Sequence, residues 1–358
     1  MDDSFEIQEL IRALPPHEGD PTIIVRITSS GLRTVTVRGD DGQPPMVFGV
    51  RPGSSPPALH VLHPESDEEL PGAWLLGDPR ALARRLGTKK RLEINLLAYR
   101  PHARAVARVD GAERPLYIKL LTKRAYRRAE EALELLEQPG EPLRLALPVC
   151  CLRKERVLVA EEARGRSLHA RLRSGESPDP GILEQALQRF RDSKAPLDLP
   201  LRSIEDERRS AVKMLERGAR VMPGLEDLIR RVSELPLPSS EEASLVHTDL
   251  HDKQIFLAKG QVELIDLEGI ARGDPRLDWI NLLEHLRLRC LQWPEQGAVK
   301  ALAGRLRASL AGDAGDRYLA AQAGLVRARL AGVYALRPRW TALARVLARD
   351  ALRELGPG

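Results

Sequence analysis

The sequence predicts an α+β protein with a β-rich first part and a larger helical second part. Three observations carry that expectation. Short apolar runs separated by Gly, Pro, Asp and Ser fill the first 80 or so residues, a second β-like block runs straight into an amphipathic helix, and beyond residue 165 helical spacing dominates. At 358 residues the chain exceeds the roughly 250 to 300 at which one core usually stops growing, so two or more packing units are expected.

In chain order, TIIVRIT (22–28), LRTVTVRG (32–39), MVFGV (46–50) and ALHVLH (58–63) alternate or cluster apolar residues between turn formers and read as a small β-rich layer. A short Ala/Leu/Arg helix, 79–86, leads through Gly87 into three further strands, RLEINLLAYR, RAVARV and PLYIKLL. TKRAYRRAEEALELLEQPG then places apolar residues at 125, 129, 132, 133 and 136, a helical repeat closed by Pro139 and Gly140. ERVLVAEE (155–162) is the next strand. Helical sequence follows, interrupted at 245–270, where QIFLA and VELIDL flank Lys259 and Gly260 as a hairpin.

With 42% hydrophobic and 30% charged residues the chain can fold and stay in solution, which excludes wholesale disorder. No run approaches the ~20 apolar residues of a membrane span, and the acidic start MDDSFEIQEL is unlike a targeting signal; a cytoplasmic protein without a membrane partner is expected. Three cysteines, Cys150 and Cys151 adjacent, supply neither a disulfide framework nor a zinc spacing. The net charge is only +5, but residues 286–358 hold thirteen Arg or Lys against five acids. Arginines on exposed helix faces account for that excess. No helix-turn-helix, RNP-like or zinc-finger signature accompanies it and aromatics are 4%, so no specific nucleic-acid partner is expected. The oligomeric state is left open.

The chemistry concentrates in LVHTDLHDKQIFLAKGQVELIDLEGIARGDPRLDW, 245–279. Its skeleton is His247-x-Asp249-x-x-x-x-Gln254, a hairpin, then Asp266 after an apolar strand. Phosphoryl transfer needs a carboxylate to orient the attacking hydroxyl, oxygen ligands that hold Mg²⁺ against the phosphates, and a cation. Asp249 suits the first task; Gln254 and Asp266 suit the second.

The segment resembles the catalytic and metal-binding loops of the aminoglycoside phosphotransferase and choline kinase-like family, relatives of the protein kinases. HTDLHDKQ is similar to that family's His-Gly-Asp-Leu-His-x-x-Asn, and LIDLEGIARGDPRLDW to its Ile-Asp-Phe-Glu followed by Gly-Asp-Pro-x-x-Asp. The resemblance implies a bilobal protein-kinase-like fold: a small β-rich N-lobe (87–162), a helical C-lobe (163–358) with the catalytic loops and substrate pocket, and an extra β-rich cap (1–86) placed like that of bacterial maltokinases. It implies ATP as co-substrate and Mg²⁺ as cofactor, with Asp249 catalytic and Gln254 and Asp266 on the metal, Gln254 standing where the family has Asn. By the same resemblance Lys119 is the strand lysine that reaches the phosphates. A helix glutamate should pair with it, and Glu130 ranks first among Glu130, Glu131, Glu134 and Glu137. Ala160 to Glu162 resemble the interlobe hinge, with the main chain of Ala160 and Glu162 facing adenine. His247 resembles the histidine that buttresses the metal loop, while Asp274 and Asp278 are turn and capping residues.

The turn YRPHARAV lacks Gly-x-Gly, which leaves Arg100, His102 and Arg104 as either phosphate contacts or solvated turn residues. Asp252 and Glu268 approach the metal or face solvent. The expected function is an ATP-dependent kinase that phosphorylates a hydroxyl of a small metabolite, a neutral sugar or an already anionic compound; the alternative is a catalytically impaired nucleotide-binding pseudokinase or regulatory module. A protein kinase fits less well, because Thr248 replaces the Arg of His-Arg-Asp and Asp-Leu-Glu replaces Asp-Phe-Gly.

Overall fold

Alternating burial along the strands and long apolar helices divide the chain into β-rich and helical parts. The computed structural model describes Leu14 and residues 22–27, 33–38, 44–51, 58–193, 195–238, 243–309 and 317–356. Four strands come first: β1 (Thr22–Ile27), β2 (Arg33–Arg38), β3 (Met46–Arg51) and β4 (Ala58–Val61). They form an antiparallel meander in that order, with Val25 opposite Val35 and Val35 opposite Phe48. These side chains make a small core of their own, against which Val221 of the helical part packs.

Helix α1 (Pro79–Arg85) is opened by Asp78, whose carboxylate accepts from the Ala81 N–H, and by Pro79 in its first turn. It is followed by β5 (Glu93–Arg100), β6 (Arg104–Asp110), β7 (Leu116–Leu121), helix α2 (Lys123–Glu134), β8 (Leu143–Leu145), β9 (Cys150–Leu152) and β10 (Val157–Glu161). The sheet runs β5-β6-β7-β10-β9. On β6, Ala105, Ala107 and Val109 point into a core that also takes Ile118 and Leu120 of β7, so the opposite face presents Lys119. The helix expected over 123–137 starts at Lys123 and stops at Glu134, three residues early.

The remaining elements are β11 (Arg166–Ser167), α3 (Leu168–Arg173), α4 (Pro180–Arg191), β12 (Leu201–Arg202), α5 (Ile204–Ala219), α6 (Glu226–Ser233), β13 (Ser244–Val246), β14 (Ile255–Ala258), β15 (Gln261–Leu264), β16 (Ala271–Gly273), α7 (Arg276–Gln292), α8 (Gly297–Ala308), α9 (Arg317–Ala335) and α10 (Thr341–Glu354). The β14–β15 hairpin turns on Lys259 and Gly260, both at positive φ (46° and 78°). Its outer edge is joined in parallel by β8, Leu143 opposite Val262, so a strand from the first half of the chain completes a sheet of the second. No helix among the described residues is long and apolar enough to cross a membrane.

Helices α5 and α9 cross at glycine. A Cβ on Gly332 would lie 2.4 Å from the main-chain carbonyl of Met214, and Gly218 faces Gly332 from the other side. Such an approach leaves no room for a methyl group. Gly332→Ala is expected to destabilise the protein by about 1 to 3 kcal/mol through forced separation of the helices, despite a gain in helix propensity, measurable as a lowered urea midpoint with unchanged m-value.

Candidate active site

The His247–Gln254 loop is held by residues that carry no charge toward its cleft. Asp278, in the first turn of α7, accepts the main-chain N–H of His247 at 2.6 Å and of Thr248 at 3.0 Å. Thr248, at φ 70°, donates its hydroxyl to the Gly269 carbonyl, and His247 Nε2 donates to the Ile265 carbonyl at 2.8 Å. Asn281, one turn along α7, donates to the Leu250 carbonyl. The loop is thereby stitched to both the 265–269 segment and α7, and Asp249 is left at its tip, half exposed.

Burial pushes the Asp278 carboxyl up to about 6, against the pull of His247 and the two N–H groups it accepts. Protonated, it has one oxygen fewer for those donors. The turnover proposed below is therefore expected to fall as pH drops through about 6, and Asp278→Asn to lose that acid limb and about tenfold to a hundredfold in rate, read from pH–rate profiles of the two proteins.

Asp252 does not face the cleft. It is fully buried, accepts from Arg289 Nε and Nη2 at 2.8 and 3.1 Å, and bonds His169 Nδ1 at 2.6 Å. Burial raises its carboxyl, but these bonds more than offset that and hold it well below the usual carboxylate range. Both oxygens being committed, the option that Asp252 reaches a metal or substrate is set aside.

Lys119 meets the opposite loop. Its Nζ lies 2.5 Å from Asp266 Oδ1 and 2.5 Å from Glu268 Oε1. Asp266 adopts φ 66°, a left-handed conformation uncommon for a residue with a Cβ, which turns its carboxylate back toward β7. Burial alone would lower the Lys119 ammonium, and Glu268 and Asp266 together raise it. Asp266 is held low by Lys119 against its burial, whereas burial pushes Glu268 up. Two carboxylates thus share one ammonium.

Gln254 completes the group. Its Nε2 donates to Asp266 Oδ2 at 3.1 Å, while its Oε1 is buried and has no hydrogen-bond partner. An orphaned carbonyl oxygen beside an under-neutralised carboxylate pair is a hard, oxygen-only donor set of the kind Mg²⁺ takes, so the residues fit the ion.

Glu130 is not at Lys119. Its carboxylate accepts from Tyr126 at 3.0 Å and from Arg153 at 2.7 Å on the outer side of α2, so the expected lysine–glutamate pair is corrected: Asp266 and Glu268 take the lysine instead. The hinge expectation needs a shift of one residue. Glu162 donates its N–H to the Pro115 carbonyl and its own carbonyl accepts from Arg114, while the Val159 carbonyl accepts from Val149 on the opposite side. Strand alternation then turns the main chain of Ala160 and Glu162 toward β7, and that of Glu161 and Ala163 toward the open side.

These residues border two connected spaces. A slot of about 330 Å³ is walled by Val106, Leu133, Ala146, Leu158, Phe256 and Ile265. Ala160, Glu161, Glu162 and Ala163 line it as well, as do Lys119 and Asp266. A wider cavity of about 610 Å³ shares Arg104, Lys119, Asp266 and Glu268 with the slot and continues to Asp249. Lys119, Asp249 and Asp266 therefore border one cleft, and Gln254, itself buried, is bonded to Asp266.

Of the turn residues, Arg104 borders both spaces. His102 is drawn aside: Asp67 accepts its N–H at 2.8 Å and lies 3.4 Å from its Nδ1. Sequence reasoning missed Arg329. It sits 3.6 Å from Asp249 Oδ1 and donates to Asn281 Oδ1 at 2.5 Å. The expectation that the late arginines cover exposed helix faces fails for it, and for Arg289 and Arg327, each 5% exposed.

No family model matches the chain, and no curated protein matches it in sequence. Solved structures do match in fold. A thermostable mutant of the aminoglycoside phosphotransferase APH(4)-Ia, in apo form, superposes with a TM-score of 0.53 at 12% identity, over 78% of this chain and 100% of that one. The same enzyme as crystallised without that stabilisation gives 0.51 at 12% identity, over 78% and 98%. A thermostable form in ternary complex with ADP and hygromycin B gives 0.50 at 13% identity, over 79% and 99%. At such identity the likeness establishes the protein-kinase-like, α+β bilobal fold expected from the motifs.

Proposed function

We propose that the chain is an ATP-dependent kinase that transfers the γ-phosphoryl group to a hydroxyl of a small metabolite. The observation that carries this reading is the meeting of Lys119, Asp249 and Asp266, from opposite halves of the chain, around one cleft, with Gln254 bonded to Asp266. The ADP and hygromycin B held by a protein of the same fold support it. Residues 87–162 would supply the small lobe, 163–358 the large lobe and 1–86 a cap.

In this reading the apolar slot takes adenine between Val106 and Phe256 or Ile265, with the main chain of Glu161 and Ala163 as hydrogen-bonding edge. Lys119 and Arg104 face the phosphates. Gln254 Oε1 and the carboxylate of Asp266 would hold Mg²⁺, which when bound neutralises phosphate charge and fixes the phosphate geometry. Asp249 accepts a hydrogen bond from the acceptor hydroxyl and takes its proton as the oxygen–phosphorus bond forms and the bond to ADP breaks. Arg329 fixes the Asp249 carboxylate from behind. Positioning and charge stabilisation would do most of the work.

A second reading is favoured by one observation: Lys119 is locked onto Asp266 and Glu268, with no helix glutamate paired to it among the described residues. A nucleotide-binding pseudokinase would show that arrangement permanently. Calorimetric titration with magnesium AMP-PNP, followed by an ADP-release assay over a panel of hydroxylated metabolites, separates the readings. Binding with turnover of at least one acceptor is expected; binding without turnover supports the pseudokinase, and absence of binding ends both.

A further inference from the structure

Beside Asp249, away from the slot, lies a third space of about 580 Å³, between β1 and β2, the β5–β6 turn, α5, α7 and α9. Its lining is unusually one-signed. Arg26 of β1, Arg100 of β5, Arg217 of α5 and Arg337 just beyond α9 reach it, alongside Arg329, which faces Asp249, and Asp249 is its one acid among the described residues. None of the first four has a carboxylate within ion-pairing distance among the described residues, and the Nε atoms of Arg26 and Arg337 are buried without a hydrogen-bond partner, although the Arg337 guanidinium lies over the Tyr334 ring at 4.4 Å. Elsewhere the protein pairs its buried arginines: Arg289 with Asp252, Arg327 with Glu284.

Unpaired guanidinium groups gathered in one pocket repel one another and have given up part of their hydration, a cost that a bound anion removes. Their surroundings show that tension. Loss of solvent contact, then the charges of Arg337, Arg104 and Arg38, lower Arg26 to about 10; loss of solvent contact, then Arg104 and Arg26, lower Arg100 to about 9.

The pocket floor adds an unpartnered donor. His285, 8% exposed, has neither ring nitrogen hydrogen-bonded and stacks on His251 at 4.6 Å. Burial holds its pKa well below the usual histidine value, so it is neutral and offers one N–H and one acceptor nitrogen. His251, Asp252 and His285 lie close enough to suggest a cation site. Asp252 is already saturated by Arg289 and His169, and the surrounding arginines repel a cation. The pocket selects the opposite sign.

None of the four arginines borders the slot, so ATP phosphates placed at Lys119 do not use them. Building on the kinase reading above, we infer that the acceptor is itself an anion: a small hydroxylated molecule carrying a phosphate or carboxylate group, which Arg26, Arg100, Arg217 and Arg337 grip while one of its hydroxyls meets Asp249. Forked guanidinium donors match the oxygens of both groups, and four of them favour the dianionic phosphate. Part of the grip comes from β1, which is tied to the end of α9 by the Val25 N–H donating to the Leu336 carbonyl at 3.0 Å. The N-terminal sheet thereby becomes a wall of the acceptor site.

The test begins with protein saturated with magnesium AMP-PNP, into which inorganic phosphate is titrated by calorimetry. One phosphate is expected to bind per chain, and Arg26→Gln and Arg217→Gln, on different elements, are each expected to weaken it at least tenfold while AMP-PNP affinity stays within about twofold. A second arm assays ADP release with neutral polyols and sugars, their phosphate monoesters, and the matching hydroxy acids. The charged members are expected to exceed their neutral parents in kcat/KM at least tenfold, and whichever charged series leads identifies the anionic group. Failure of AMP-PNP to bind overturns the kinase reading itself. Normal AMP-PNP binding with no phosphate bound, phosphate binding indifferent to both substitutions, or neutral acceptors preferred over charged ones each overturns the anionic-acceptor proposal alone.

Discussion

Asp249→Ala is expected to lower ADP release in the presence of an acceptor by about 10³-fold while leaving magnesium AMP-PNP affinity within about twofold. The split follows from place. Asp249 borders the wide cavity and the basic pocket but not the slot, so removing its carboxylate takes away the partner of the acceptor hydroxyl and little that touches the nucleotide. Its truncation should not unfold the chain, because the side chain is half exposed and its one ionic contact, Arg329 at 3.6 Å, keeps its bond to Asn281. An equal fall in nucleotide affinity and turnover would assign Asp249 to the phosphates rather than to the acceptor.

Arg289→Met is expected to cost about 3 to 5 kcal/mol at neutral pH, the penalty for leaving a buried carboxylate without its main partner. Asp252 would retain its bond to His169 and a longer contact with His251 at 3.8 Å, in a site with no access to water. The sign with pH is fixed by the direction of the Asp252 shift. A carboxyl held low in the folded protein contributes stability that is complete above the unfolded value near ~3.9 and is lost as pH falls through the folded one. The gap in denaturant midpoint between the two proteins should therefore be full at pH 7 and narrow as the medium is acidified below about pH 4. A gap that widens on acidification would show that Asp252 is not held ionised by Arg289.

The element order was legible because it rests on local chemistry. Alternation along β6, the Lys259–Gly260 turn and the Pro/Gly stop after α2 each act within a few residues, and the motif from His247 to Asp278 is one continuous segment built around a single hairpin. What was illegible depends on contacts between elements that no local pattern reports. Lys119 chooses Asp266 and Glu268 over Glu130 because Asp266 takes a left-handed backbone and because Arg153 occupies Glu130, neither of which a helix periodicity reports. The main-chain edge that faces away from β7 falls one residue from the expected one, at Glu161 and Ala163, because strand register is set by Pro115 and Val149, not by the run ERVLVAEE itself. Arg329 and Arg337 lie among thirteen similar cations of residues 286–358, and only three-dimensional packing separates those beside Asp249 or in a pocket from those in water.

The Val25–Leu336 clasp has a consequence in time. The two residues are 311 positions apart, since 336 − 25 = 311, and a ribosome adding ~5 to 20 residues per second needs about 15 to 60 s to make the second after the first. The meander can pair its strands once Val61 has been made, but its docking partner does not yet exist. Through that interval the basic side of β1 lacks its cover, and the pocket between it and α9 closes only after Leu336 has been added.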